Sequence, residues 1–99
     1  MHYQEYLLTC MSEEAAELIQ AIGKAQRFGL DDDFYDEAPL LAMRREFNDL
    51  LGVIELLLES IHNTYNIDYR AWVLPELIEA KKKKVEKYIE YSEKKGTIG

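Results

Sequence analysis

Cysteine is nearly absent from this chain of 99 residues: Cys10 stands alone. That excludes an intrachain disulfide and a cysteine cage for zinc, and suits a reducing compartment. No apolar run approaches the roughly 18–20 residues that a membrane span requires. Basic residues are in the minority, 12 Lys and Arg against 19 Asp and Glu, for a formal net charge of −7. A general binder of nucleic-acid polymers wants a basic footprint, so that class is disfavoured. A small anionic ligand is still compatible, because a bound divalent cation inverts the local field. The opening residues Met1-His2-Tyr3-Gln4-Glu5 lack the basic and apolar regions of a signal peptide. The expectation is a soluble cytoplasmic protein with no membrane partner.

What is present favours helices. Hydrophobic residues make up 47% of the chain and charged ones 31%, enough for one domain spanning 1–99. Two prolines and five glycines punctuate it where long helices would end. From about Tyr6 to Phe28, Leu7, Met11, Ala15, Leu18, Ile22 and Ala25 recur every three or four residues, and Gly29 follows. The segment 30–36, with Asp31, Asp32 and Asp33 adjacent, reads as an exposed loop. Pro39 suits the first turn of a second helix running to about His62, with a break at 63–66. Residues 67–73 predict one short helical turn, and Pro75 opens a last helix ending before Gly96. No alternating stretch is long enough for a strand. The fold expectation is all-α: a compact bundle of three long helices plus one short helix. A chain this short leaves apolar surface uncovered, so association into a larger bundle, dimer or tetramer, is expected.

The acids of the second helix are oddly placed. On a wheel with Glu46 at zero, Leu57, Leu50, Met43 and Val53 fall at about 20°, 40°, 60° and 340°. Asp49, at about 300°, lies inside the same apolar arc. Two carboxylates one turn apart on a buried side are costly unless protonated, paired or bound to a cation. On the first helix, Glu14 and Glu17 border the apolar stripe at the same i, i+3 spacing, with Glu13 beside them. Antiparallel packing of the two helices would bring Glu14, Glu17, Glu46 and Asp49 to one level. A hard divalent ion, Mg²⁺ or Mn²⁺, is the ordinary remedy for such repulsion. The bland alternatives are a solvated acidic rim on the first helix and, for the second, a Lys or Arg partner from another helix.

Two other clusters carry less. Glu59-Ser60-Ile61-His62 is a Glu-x-x-His, a motif that di-iron bundles need twice, and His2 has no acid three residues before it. His62 fits a helix end, where a basic group meets the negative pole of the dipole. In the run Lys81-Lys82-Lys83-Lys84, Lys82 and Lys83 read as solvated. Lys81 falls among Leu77, Ile78, Val85 and Tyr88, with Lys84 at the edge of that face. A lysine pointing inward needs an anion, either one of the acids or a phosphate.

Glu13-Glu14-Ala15-Ala16-Glu17, 28 intervening residues and then Glu46-Phe47-Asn48-Asp49 form a Glu-Glu-x-x-Glu…Glu-x-x-Asp pattern. In this the chain resembles, over nearly its full length, the MazG-like branch of the all-α nucleotide pyrophosphohydrolases. Leu50-Leu51-Gly52 and the Lys-rich last helix add smaller matches. The resemblance implies Mg²⁺-dependent hydrolysis of a nucleoside triphosphate to monophosphate and pyrophosphate. It implies Glu14, Glu17, Glu46 and Asp49 as metal ligands and Glu13 as a water-orienting neighbour. Lys81 and Lys84 correspond to the phosphate-holding residues, with Tyr88 on the same substrate-binding face, and sites are shared across subunits. The alternative is a catalytically silent helical module that binds a nucleotide or partner through the same acidic pocket. Neither Cys10 nor Ser12 has the setting of a nucleophile. No base-reading motif is present; Trp72, Tyr65 and Phe34 are read as buried aromatics rather than base-stacking ones.

Overall fold

Apolar spacing and terminal residues set three long α-helices, α1 (Tyr3–Phe28), α2 (Pro39–Tyr65) and α3 (Pro75–Lys95), in a computed structural model that describes residues 2–33 and 37–97. No strand occurs among the described residues, and one 3-10 turn, Tyr69–Trp72, precedes α3. The expected loop residues 34–36, including Phe34, lie outside the described residues. None of the described helices is long and apolar enough to cross a membrane.

Helix ends follow local chemistry. α1 begins one turn before the first apolar position of its stripe, and its N-terminal residues Tyr3, Glu5 and Tyr6 stay exposed. It stops at Gly29, whose φ of 90° suits a residue without a Cβ and whose N–H donates to Ala25. α2 starts on Pro39, whose missing N–H is no loss in a first turn. It runs through Asn63, Thr64 and Tyr65, past the expected end at His62, because none of these residues forbids helical backbone. Asn66 then ends it in the left-handed region, φ 56°, with its N–H on the His62 carbonyl. His62 Nδ1 lies 2.9 Å from the Ile67 carbonyl, so that nitrogen carries the proton and donates. His62 is thus a helix-closing residue.

The chain divides into two units, Met1–Tyr69 and Arg70–Gly99. In the first, α1 and α2 pack against one another. Gln4 Nε2 donates to the Ser60 carbonyl at 3.3 Å and to Thr64 Oγ1 at 3.0 Å, so the start of α1 lies beside the end of α2. The pair is therefore antiparallel. Thirteen residues on from Gln4 is Glu17, and fourteen back from Ser60 is Glu46, about 20 Å along either axis. Opposed helices bring these two acids level.

Leu7, Ala21 and Leu57 form the buried apolar seam, with Met11, Leu18, Met43, Leu50, Val53 and Ile54 half-buried around it. Both apolar arcs are wider than a single helix–helix contact covers, so Ile19, Leu40, Phe47 and Leu56 remain exposed. In the second unit α3 has no buried residue, and Leu77, Ile78 and Val85 line an open apolar groove. Gly96, φ 75°, ends α3 with its N–H on Glu93 and the Thr97 N–H on Ser92, a Schellman arrangement.

Candidate functional site

Glu46 is the one charged side chain buried among the described residues, at 8% exposure. Its helical phase puts it at the middle of the apolar face of α2, in line with Leu57, and the neighbouring helix covers it. Across the seam come Glu14, half-buried, and Glu17, exposed. One carboxylate oxygen from each of Glu14, Glu17 and Glu46 lies within 4.8 Å of the other two. The i, i+3 spacing of Glu14 and Glu17 aims both at the level of Glu46.

These acids are poorly supplied with donors. With the three carboxyls ionised, Glu14 Oε2 and Glu46 Oε2 are buried and accept no hydrogen bond among the described residues. An orphaned buried acceptor is costly, more so when charged. Glu17 registers the crowding: its carboxyl is raised above the ordinary range. The leading cause is the hydrogen bond its protonated form makes to Glu46, followed by the charges of Glu14 and Glu46. Loss of hydration and the charge of Asp49 add smaller increments. Either a shared proton or a cation relieves such a trio.

Glu46 Oε1 has a partner that helical phase does not reveal. Arg45 Nη1 donates to it at 2.6 Å, while Arg45 Nη2 reaches Glu37 Oε1 at 3.0 Å. Arg45 Nε also donates to Glu37, at 3.3 and 3.4 Å to its two oxygens. The hydrogen bonds to Glu37, then to Glu46, raise the guanidinium's pKa further, so Arg45 is charged at every working pH. Adjacent residues on a helix diverge by about 100°, so the wheel gives no reason to pair Arg45 with Glu46. Glu37, which precedes α2, bears no helical spacing to either. The one hint in the sequence was the general need of a buried carboxylate for a cation.

The remaining expected site residues fall outside the trio. Asp49 is exposed, which corrects its expected place on the buried face. Its flank of the wheel is also that of Leu56, 47% exposed, and α1 does not cover it. Glu13 is exposed on the far edge of α1. Lys81 shares the groove of Leu77, Ile78 and Val85, as its phase predicts, but that face is open and Lys82 lines it too. Lys84 and Tyr88 are likewise exposed on α3. Lys82 pairs with Glu79 at 3.1 Å. Tyr65 and Trp72, expected to be buried, are 63% and 55% exposed. Tyr65 is the last residue of α2 and Trp72 the last of the 3-10 turn.

No protein-family model, no curated protein and no solved structure matches this chain.

Proposed function

We propose that the protein is a Mg²⁺-dependent nucleoside triphosphate pyrophosphohydrolase of the MazG-like kind, with Glu14, Glu17 and Glu46 holding the cation and Mn²⁺ as a substitute. The observation that carries this reading is Glu46 Oε2, a carboxylate oxygen buried in an apolar seam with no donor, facing two further acids. The donor set is all oxygen, which suits a hard cation. Oxygens on one Mg²⁺ lie about 2.9 Å apart when adjacent and about 4.2 Å when opposite, so the trio, within 4.8 Å, has to close inward around the ion. The substrate class is what the resemblance of the two acid pairs to the MazG-like pattern implies.

When bound, the cation neutralises charge developing on the phosphate oxygens. The chain's own residues do the rest. Asp49, exposed and one turn on from Glu46, is left free to accept the proton of the attacking water. That water oxygen bonds to the α-phosphorus, the α–β bridging bond breaks, and pyrophosphate leaves. By the same resemblance, Lys81 and Lys84, with Tyr88 on the same helix, are the residues for the phosphates of the substrate. Self-association to a dimer or tetramer covers the groove of Leu18, Ile22, Leu40, Met43 and Phe47.

The test is pyrophosphate release from a panel of ribo- and deoxynucleoside triphosphates with and without Mg²⁺. Metal-dependent release of pyrophosphate and monophosphate supports the proposal. Absence of release across the panel, with Mg²⁺ binding intact, favours the silent binding module built on the same acidic pocket.

A further inference from the structure

Arg45 does more to Glu46 than balance its charge. Its guanidinium is a rigid planar fork, and two edges of that fork are in use. Nε and Nη2 grip Glu37, which fixes the plane of the group. Nη1 is then aimed at Glu46 Oε1, at a distance typical of a charge-assisted bond. The Glu37 contact alone is a surface pair, with Arg45 54% and Glu37 40% exposed, and would be weak. The Glu46 side chain is nine-tenths buried, which makes its bond to Arg45 hard for water to replace. Oε1 is committed, and Oε2 is the atom left without a partner.

We infer that Arg45, held by Glu37, limits Glu46 to a single ligand oxygen and so sets the site's preference for a small octahedral cation over calcium. This rests on the reading of Glu14, Glu17 and Glu46 as a cation site. Ca²⁺ takes six to eight oxygens and commonly recruits both oxygens of a carboxylate. Mg²⁺ suits single oxygens from its carboxylates, keeps waters in its remaining positions and demands near-ideal octahedral angles. A carboxylate with one oxygen tied to a guanidinium serves the second ion and fails the first. Arg45 is a positioning residue in this scheme: it touches the ligand, not the cation.

The experiment is calorimetric titration of the whole chain with Mg²⁺ alone and Ca²⁺ alone, for wild type, Arg45→Gln and Glu37→Gln. Removing a charge near the site shifts both affinities together, so the ratio of the two reports geometry. Freeing Oε1 in Arg45→Gln should move that ratio toward Ca²⁺ by about tenfold, the lower range for losing a partner of a metal ligand. Glu37→Gln should move it the same way by less, because Arg45 keeps Glu46 but loses its grip. An unchanged ratio in both variants would overturn the inference and leave Arg45 as a counter-charge only. If Arg45→Gln does not fold by circular dichroism, the exposed change Glu37→Gln decides the matter. Wild type that binds neither cation would remove the cation site and this inference with it. Wild type that binds Mg²⁺, with unchanged variant ratios, removes the inference alone.

Discussion

Arg45 and Glu46 are neighbours in sequence, yet Nη1 of one meets Oε1 of the other at 2.6 Å across the edge of α2. The arginine stem is long enough to wrap around the helix, and the only buried carboxylate among the described residues draws it there. Half of the Glu46 charge is thereby answered from its own helix. The other half faces Glu14 and Glu17, which offer it no donor while they are ionised. This asymmetry organises the site.

Exchange of Glu46 for Gln should reduce Mg²⁺-dependent turnover by at least about 100-fold, since even outer partners of metal ligands cost 10–100-fold. Asp49→Asn should also abolish turnover but weaken Mg²⁺ binding much less, because Asp49 is outside the trio. Paired titration and pyrophosphate assays separate the two. Equal loss of Mg²⁺ affinity in both variants would return Asp49 to the ligand set.

Relief of repulsion should differ between the acids. Glu14→Gln removes a charge that has no cationic partner among the described residues, and should stabilise the metal-free protein by up to about 1 kcal/mol. Glu46→Gln relieves similar repulsion but deprives Arg45 of its ionic bond, so its gain should be smaller. Urea melts in chelator, at neutral pH, give the comparison.

The raised carboxyl of Glu17 carries a pH signature. Its folded pKa lies above the ordinary value of 4.5, so the folded state binds the proton more tightly than the unfolded chain does. Below 4.5 both states hold the proton, and Glu17 does not oppose folding. As pH rises through the raised value the folded state must give the proton up, and stability falls. Wild type should therefore lose stability relative to Glu17→Gln as pH climbs from 4.5 toward neutrality in chelator. Saturating Mg²⁺, which favours the ionised carboxyl in the folded state, should shrink or reverse the wild-type decline. A difference between the two melting curves that is flat with pH would contradict the crowding of these acids.

Leu57 should contribute strongly to the stability of the helical pair, being buried on the same face of α2 as Glu46, about three turns further on. Leu57→Ala should cost about 2–4 kcal/mol, the range for deleting a buried leucine side chain. Leu56→Ala, one residue away but 47% exposed, should change stability by less than about 0.5 kcal/mol. Chemical denaturation of the two variants checks the helical phase directly.

Lys81→Met should weaken binding of a non-hydrolysable nucleoside triphosphate by roughly 1.5–3 kcal/mol, the value of a hydrogen bond to a charged group. Lys83→Met is the matched control, since Lys82 shares the groove of Lys81 and is paired with Glu79. Equal effects from Lys81 and Lys83 would mean that the lysine run is a general charged surface.

Sequence alone determined the number, type and approximate limits of the long helices. Those are local matters: a period of three to four, prolines at 39 and 75, and residues at 29, 66 and 96 that accept positive φ. The burial of Glu46 was legible for the same reason, because a residue at the middle of an apolar stripe goes wherever the stripe goes. Asp49 was not legible. Its phase places it on the flank of the stripe, and whether a flank is covered depends on how much of it a neighbouring helix reaches. The same holds for Tyr65 and Trp72, whose exposure turns on what lies beside them. Arg45 is the sharpest case, because no periodicity pairs adjacent residues, and Glu37 acquires its role only once the chain has turned into α2. Periodicity tells which way a side chain leaves its helix. Only tertiary packing decides what it meets.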